Sequence, residues 1–188
     1  MTNLILPVGI SGCGKSRLHI KLDNKLDGLG LVEPDLIRKE LTGSISDQTK
    51  NQEVFEKAKR LTLNALKDNR NIFFSATNLG TSNLLKTIEY YTSQIEDLKV
   101  IVVFMMDSFD IDLCHQRVIK DIAQGKDRSD TRDISILERQ YDKFINTYND
   151  KRKIEELYPD NTLVIDFDGK DSIIDKIAHY IEFNRFDE

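Results

Sequence analysis

The feature that most constrains this chain is the octapeptide Gly-Ile-Ser-Gly-Cys-Gly-Lys-Ser at residues 9–16, which follows an apolar run at residues 4–8. It matches the pattern G-x-x-x-x-G-K-[ST] in full. In that pattern glycines let backbone N–H groups converge on a phosphate, and the N-terminus of the following helix adds a positive field. An ordinary glycine-rich turn would match the pattern only by chance. The segment therefore predicts a strand, a phosphate-binding loop and a helix that together bind a nucleoside triphosphate.

The motif also assigns individual roles. Lys15 is expected to reach the β- and γ-phosphates, and Ser16 to give its hydroxyl to Mg²⁺. ATP and Mg²⁺ are therefore the expected cofactors. Cys13 occupies a position that the pattern leaves free, and we interpret it as a small residue rather than an acidified thiol. The residues expected to bind the nucleotide through this loop are Gly9, Ser11, Gly12, Cys13, Gly14, Lys15 and Ser16.

Length and composition bound the class of protein. The chain has 188 residues, 39% hydrophobic and 31% charged, which predicts one compact domain over residues 1–188. Two cysteines without a C-x-x-C pair, and a start unlike a signal peptide, predict free thiols and a cytoplasmic location. No apolar stretch is long enough for a bilayer, so no membrane partner is expected, and the oligomeric state stays open. The net charge of −5 argues against a broad basic surface for long nucleic acid, but a contact with a strand end is compatible with it.

Apolar runs bounded by turns alternate with helical periodicity, which is the pattern of an α/β domain with a parallel central sheet. The predicted strands cover residues 4–8, 30–33, 72–75, 100–106 and 163–167. The predicted helices cover residues 15–22, 35–41, 52–67, 83–98, 111–124, 134–157 and 172–183. In the third of these helices, helical spacing predicts one core-facing stripe of Val54, Ala58, Leu61 and Ala65.

Ligands of open parallel sheets bind beyond the carboxyl ends of the strands, so the residues after each strand are candidates for a site. Asp35 and Arg38 follow the second predicted strand and share a face if a helix begins there. A carboxylate at Asp35 can accept the proton of a substrate hydroxyl, and the guanidinium of Arg38 can hold a phosphate. The alternative is that Asp35 caps the helix beside Pro34 and that Arg38 is a solvated charge.

The third predicted strand is followed by Ser75-Ala76-Thr77-Asn78, at the position where many phosphate-loop proteins place an acidic residue for the metal. No acidic residue stands there in this chain. We therefore expect a Mg²⁺ ion held largely by water, with few protein ligands.

Basic residues gather in and around an aperiodic segment between two predicted helices, and they are Arg117, Lys120, Lys126, Arg128 and Arg132. They suit a lid that closes on phosphates, excludes water and stabilises transition-state charge. Several aspartates are interspersed among them, so composition fits equally well a helical hairpin decorated with charges.

Taken together, these motifs resemble the kinase domain of phage-type polynucleotide 5′-hydroxyl kinases. The resemblance rests on the phosphate loop, Asp-x-x-Arg after the second strand, Ala-Thr-Asn after the third, and Arg117 before the basic segment. It spans roughly residues 3–148 and is most specific over residues 9–38. It implies a P-loop kinase-type three-layer sandwich, with a central, mainly parallel five-stranded sheet and a helical lid at about residues 117–133.

The resemblance also implies roles for the candidate residues. Lys15 and Ser16 would contact ATP and Mg²⁺, with Arg117 also on the nucleotide. Asp35 would be the general base toward a 5′-hydroxyl, and Arg38 would hold the substrate phosphate. Further substrate-binding residues are placed after the third strand, at Thr77 and Asn78.

A lid arginine completes the implied catalytic set of Lys15, Asp35 and Arg128, in which Arg128 contacts the transferring phosphoryl group and Lys126 or Arg132 are its alternatives. Three departures from the family bear on the acceptor. The stretch after Arg117 is longer than the family's lid and lacks its Val-Pro, and Ala76 stands where some members carry an acidic residue.

The function so implied is transfer of the γ-phosphoryl group of ATP to the 5′-hydroxyl of RNA or DNA, with a nucleic acid 5′ end as partner and end repair as the process. The first alternative is a P-loop kinase acting on the hydroxyl of a small metabolite or nucleotide, because the same scaffold serves many acceptors. The second is a non-catalytic ATP-dependent switch, which Asp35 and the basic lid disfavour.

Overall fold

A five-stranded sheet forms the centre of the molecule in the computed structural model, which describes residues 2–126, 128 and 131–183. The strands are β1 (Asn3–Val8), β2 (Gly30–Val32), β3 (Ile72–Phe74), β4 (Lys99–Met105) and β5 (Thr162–Phe167). Their order across the sheet is β2-β3-β1-β4-β5, and every neighbouring pair is parallel. In this register Leu4 of β1 lies opposite Ile72 of β3 on one side and Val100 of β4 on the other. All carboxyl ends therefore meet at one edge of the sheet.

Helices connect the strands, and a single 3₁₀ turn covers Met106–Phe109 directly after β4. The helices are α1 (Lys15–Asp23), α2 (Pro34–Thr42), α3 (Asn51–Lys67), α4 (Thr81–Thr92), α5 (Ile111–Ala123), α6 (Ile134–Asn149), α7 (Lys151–Leu157) and α8 (Asp171–Phe183). Helix α2 packs on α3, α1 on α8, and α5 on α6.

Burial explains why the strands are central. All six residues of β1 and six of the seven in β4 are buried, which requires helices on both faces of the sheet. The apolar runs seen in the sequence are these strands, because a parallel strand covered on both sides has no polar face. The fold is α/β with an all-parallel sheet and helices in two outer layers, so the predicted fold class is confirmed.

Two of the predicted helices differ from the observed ones in their extent. The helix predicted over 83–98 ends at Thr92, because the chain turns there and Asp97 adopts a left-handed conformation with φ of 56°. Leu98, which is 1% exposed, follows this turn and enters the core. The helix predicted over 134–157 is two helices, which meet at Asp150, whose carboxylate accepts a hydrogen bond from Thr81 Oγ1 at 2.6 Å.

The predicted stripe of α3 is also partly wrong. Val54 and Ala58 are buried, but Leu61 is 41% exposed and the next residue, Thr62, is buried instead. Thr62 and Leu66 continue the spacing of four residues, so the buried face winds gradually around the helix and leaves Leu61 on its edge. Within the described residues, no helix combines the length and the apolar character needed to cross a bilayer.

Candidate active site

The phosphate loop joins the carboxyl end of β1 to the first turn of α1. Its glycines allow conformations and contacts that other residues do not. Gly12 and Gly14 have φ of 83° and 99°, in the left-handed region. A Cβ atom on Gly9 would lie 2.6 Å from Cys13 Sγ and 2.7 Å from Ser108 Oγ, and one on Gly12 would clash with the carbonyl oxygen of Cys114. The loop is therefore packed against the end of β4 and against α5.

Two distant side chains bind backbone amides of the loop. The Ile10 N–H donates to Ser108 Oγ at 3.2 Å, and the Ser11 N–H donates to Gln140 Oε1 at 2.8 Å. Ser108 lies in the 3₁₀ turn after β4 and Gln140 on α6. The loop is thus held by the 3₁₀ turn after β4 and by helix α6.

Lys15 begins α1 and folds back over the loop. Its ammonium donates to the carbonyl oxygens of Gly9 at 3.1 Å and Ile10 at 2.8 Å. The next residue, Ser16, is exposed in the first turn of the helix. A cation and a free hydroxyl therefore stand together at the helix N-terminus, as the motif predicts.

The two cysteines are free and buried, as expected. Cys13 is 1% exposed, and Cys114 Sγ donates to the carbonyl oxygen of Asp107 at 3.2 Å. Burial, assisted by the neighbouring Cys13, raises the pKa of the Cys114 thiol to about 12. Cys114 is therefore a protonated core residue, and Cys13 fits the interpretation of a small residue in the loop.

A cavity of about 1030 Å³ opens over the carboxyl ends of the strands and brings most of the predicted residues together. The predicted residues on its wall are Ser11, Gly12, Cys13, Gly14, Lys15, Ser16, Asp35, Arg38, Thr77, Arg117 and Arg128. Two predicted residues, Gly9 and Asn78, do not line it. Gly9 lies behind the loop, where it provides packing space rather than a cavity surface.

Asn78 has a structural role in the observed arrangement. Its amide nitrogen donates to the carbonyl oxygens of Pro7 at 2.8 Å and of Ala76 at 3.3 Å, and its φ is 50°. The neighbouring carbonyl of Thr77 accepts from the Gly9 N–H at 3.1 Å. Asn78 therefore ties the end of β3 to the end of β1. Asn78 does not line the cavity, so the structure does not place it where a substrate contact was predicted. Its amide group is hydrogen-bonded to backbone carbonyls instead.

Asp35 and Arg38 form an ion pair at the start of α2, between Asp35 Oδ1 and Arg38 Nη1. The N-cap of this helix is Glu33, and Pro34 is its first residue, so the alternative in which Asp35 caps the helix is wrong. The alternative in which Arg38 is a solvated charge is also wrong, since Arg38 is 4% exposed. Its Nη2 donates to Asn51 Oδ1 of α3 at 3.0 Å. The pair is thus fixed between two helices and presents the carboxylate to the cavity.

Helix α5 extends to Ala123, so the predicted lid at 117–133 begins as a helix, and its described residues at 124–126, 128 and 131–133 lie outside any helix. Residues 127, 129 and 130 of that segment lie outside the described residues. Asp121 binds both nearby cations, Lys126 at 2.7 Å and Arg128 at 2.8 Å. Burial alone would raise the pKa of Asp121, but the hydrogen bond and charge of Lys126, with those of Arg128, outweigh it and lower that pKa.

Of the three candidate lid cations, Lys126 and Arg128 line the cavity and Arg132 does not. The carbonyl oxygen of Arg132 lies 2.7 Å from His115 Nε2. Arg117, in contrast, reaches the loop itself. Its Nη1 donates to the carbonyl oxygen of Gly12 at 3.3 Å and pairs with Asp107 at 2.7 Å. Arg117 is therefore placed beside the phosphate loop, as expected for a residue that binds the nucleotide.

Gln140 and Glu33 are among the residues of the site that sequence reasoning missed. The half-buried Glu33 ends the predicted second strand but lines the cavity as the N-cap of α2. Burial raises the pKa of its carboxyl, the charge of Asp35 adds to the effect, and Lys15 opposes it. Its position directly after a parallel strand was the available signal. Gln140 had none, because only the folding of α6 brings it to the loop.

The residues present fit a triphosphate. The loop forms a cradle that Cβ atoms at Gly9 or Gly12 would fill, and several cationic side chains of the described part face the cavity: Lys15, Arg17, Arg38, Arg117, Lys126 and Arg128. Among the described residues no group of three or more His, Cys, Asp or Glu side chains is arranged to hold a metal ion. The exposed Ser16 hydroxyl fits a Mg²⁺ ion that keeps most of its water.

The parallel sheet, the phosphate loop after β1 and the cationic cavity above them define a fold of the P-loop kinase type. Solved structures share it. A chain in the Pnkp1/Rnl/Hen1 RNA repair complex superposes with a TM-score of 0.68 and 18% identity, over 79% of this chain and 45% of that one. A fungal RNA kinase superposes with a TM-score of 0.56 and 18% identity, over 98% of this chain and 88% of its own. Shikimate kinase from Acinetobacter baumannii gives a TM-score of 0.54 and 18% identity, over 98% and 95%.

This chain spans less than half the length of the RNA repair chain that it resembles. No protein-family model matches the sequence, and no curated protein matches it. At 18% identity these likenesses establish the fold, and they confirm the predicted resemblance to polynucleotide kinases at that level. The acceptor is a separate question, since RNA kinases and a shikimate kinase share the architecture.

Proposed function

We propose that this protein is an ATP-dependent phosphotransferase that transfers the γ-phosphoryl group of ATP to the 5′-hydroxyl of a polynucleotide, RNA or DNA. The observation that carries the proposal is the Asp35–Arg38 ion pair, which shares one cavity with the phosphate loop. A carboxylate that can act as a general base and a phosphate-binding loop in one cavity are what transfer to a hydroxyl requires. The fold shared with RNA kinases supports the same acceptor.

Each residue has a proposed part in the reaction. Asp35, oriented by its ion pair with Arg38, accepts the proton of the attacking hydroxyl. That oxygen bonds to the γ-phosphorus while the bond from phosphorus to the β–γ bridging oxygen breaks, which leaves ADP. When the nucleotide binds, the Lys15 ammonium exchanges its hydrogen bonds to the loop carbonyls for contacts with the phosphates and stabilises their negative charge. Arg128 stabilises the same charge from the proposed lid. We call the part of the cavity wall formed by α2 and α3 the acceptor side. Arg38 lines it and orients Asp35, and it is proposed to hold the substrate phosphate.

Mg²⁺, when bound, would supply positive charge that neutralises the phosphates during transfer. The Ser16 hydroxyl is the protein group proposed to hold it. We also propose that residues 1–188 act as one kinase domain, with residues 117–133 as its lid, and that the protein works in the cytoplasm.

A second candidate acceptor is a small metabolite with a free hydroxyl. The likeness to a shikimate kinase over nearly the whole of both chains favours it. The two candidates share the nucleotide site and differ only in what lies against Asp35.

The test is transfer of label from γ-labelled ATP to a panel of acceptors: 5′-hydroxyl oligoribonucleotides, oligodeoxynucleotides, plain nucleosides and shikimate. We expect label on the oligonucleotides. Lys15→Ala should abolish transfer, and Asp35→Asn should lower kcat by about a hundredfold or more with ATP affinity retained, because it removes only the proton acceptor. Asp27→Asn, at an exposed position before β2, is the matched control. Equal labelling of nucleosides or shikimate would instead support the small-molecule acceptor.

A further inference from the structure

An exposed aromatic ring stands on the acceptor side of the cavity. Phe55 is 44% exposed and lines the cavity from α3. Among the described residues it makes no ring contact with another aromatic side chain, whereas Phe109, similarly exposed, packs on Phe144 and Tyr148. A ring left uncovered inside a cavity is unlike a scattered surface phenylalanine, because the cavity supplies a bounded space for a ligand to cover it.

The position of Phe55 is set by the same contacts that fix the proposed base. Asn51 begins α3 and lies four residues, about one helical turn, before Phe55, so both side chains share a face. Asn51 Oδ1 accepts from Arg38 Nη2 at 3.0 Å, and Arg38 pairs with Asp35. The ring therefore belongs to the wall that carries Asp35, and not to the phosphate loop.

A second apolar side chain lines the same cavity. Leu36, next to Asp35 on α2, lines the cavity and is 52% exposed. The amides of Gln48 and Asn51 also line the wall. Apolar, aromatic and amide groups together complement a nucleobase, which has a flat π-face and hydrogen-bonding edges. A polyol such as shikimate offers no flat aromatic face to such a ring.

We propose that Phe55 stacks against the base of the terminal nucleotide of the acceptor and so selects nucleic acid ends over small polyols. The inference deepens the proposed function and rests on it. Phe55 is on this view a specificity-determining residue, which positions the 5′-hydroxyl at Asp35 without taking part in proton transfer. Because every base has a π-face, the selection is for the presence of a base and not for its identity.

The test compares two 5′-hydroxyl oligonucleotides that differ only in whether the 5′-terminal nucleotide carries a base or is abasic. We expect the wild-type protein to prefer the oligonucleotide with the base by about tenfold in kcat/KM. Phe55→Ala should lose that preference, and Phe55→Trp should retain it. Leu61→Ala is the matched control, because Leu61 is 41% exposed on the same helix but does not line the cavity. It should keep the full preference.

A second readout requires no phosphoryl transfer. The chain has no tryptophan, so Phe55→Trp introduces a single fluorophore at the proposed stacking position. Its emission should be quenched by the oligonucleotide with the base and not by the abasic one, in the absence of ATP. Quenching by ATP alone would assign the ring to the adenine of the donor and overturn the proposal.

The outcomes separate this inference from the proposed function. Two results would overturn the stacking role and leave the kinase assignment standing. One is equal transfer by the wild type to the oligonucleotide with a 5′-terminal base and to the abasic one, and the other is a preference that stays intact in Phe55→Ala. If no oligonucleotide acquires label, the proposed function fails. The fluorescence titration then still decides whether a base binds at Phe55.

Discussion

At the scale of single residues, Arg38 shows how one side chain serves both stability and the site. It is almost fully buried and binds Asp35 and Asn51. Truncation removes the hydrogen bonds from the guanidinium to Asp35 and Asn51 and opens space between α2 and α3. We expect Arg38→Ala to lower the free energy of unfolding by about 1–3 kcal/mol, measured by urea denaturation. Arg60→Ala, at an exposed position on α3, should change it little. Equal effects of the two variants would contradict the buried network.

Glu33 should make stability depend on pH. Its folded pKa is raised above the ordinary value of 4.5 by burial and then by Asp35, so the folded chain holds the proton more tightly than the unfolded chain. Stability contributed by the protonated carboxyl is complete below pH 4.5 and is lost as pH rises through the folded pKa. The charged carboxylate therefore costs stability at neutral pH.

Glu33→Gln removes that cost, because the amide carries no charge at any of these pH values. We expect the variant to have a higher Tm than the wild type at pH 7 and the same Tm at pH values below 4.5. Thermal melts across this range measure the difference. Glu96→Gln, at an exposed position, provides the control and should show no such trend. A gain in Tm that persists at low pH would point to a cause other than charge burial.

The residues of the site differ in how far sequence could reveal them. The residues inside the phosphate loop could be predicted from the sequence, because glycines, a lysine and a hydroxyl at this spacing are typical of a loop that binds phosphate. Asp35 and Arg38 followed from their place after a strand. Gln140 could not be predicted, because its partner Ser11 lies in another element and a lone glutamine on a helix has no distinguishing pattern.

At the scale of elements, the conformation of the loop depends on Gly12. Alanine there would meet the carbonyl oxygen of Cys114 and would also have to adopt φ of 83°. Gly28 provides a matched control, since its φ is 78° but no atom lies within 4 Å of a Cβ placed on it. We expect Gly28→Ala to cost about 1–2 kcal/mol of stability with ATP binding retained.

Gly12→Ala should cost more than Gly28→Ala and should abolish ATP binding, because relief of the clash displaces the loop from α5. Denaturation and calorimetric titration with ATP measure the two effects. ATP affinity unchanged in Gly12→Ala would show that the loop yields without loss of its amide geometry. The strands themselves were predicted to within one or two residues at each end because their apolar runs are local. The break at Asp150 was missed because its partner, Thr81, lies on α4.

At the scale of the whole molecule, the charge distribution limits how nucleic acid binds. The chain carries a net charge of −5, while cationic side chains line the cavity. A strand end should therefore neutralise only one or two phosphates, with a log–log salt slope of about −0.7 for each on single strands. We expect kcat/KM to depend weakly on salt and hardly on oligonucleotide length. A slope several times steeper, or a strong gain with length, would indicate an extended binding surface.

The overall topology was predictable because the alternation of buried runs and amphipathic segments leaves few arrangements for a parallel sheet. Strand order was not, since it depends on which helices cover which face. The sequence pointed to an acceptor only through the resemblance to a family, because the side chains that we propose to contact the acceptor lie on α2 and α3 and only the fold assembles them.

The hydrogen bond from Ser11 to Gln140 joins residues 129 positions apart, one in the phosphate loop and one on the helix after the lid segment. A helix cannot shift along its axis or tilt away without either breaking this bond or carrying the amide with it. The position of α6 and the shape of the loop are thereby coupled. The exchange of the Ser11 amide hydrogen with solvent consequently records how often α6 and the loop separate.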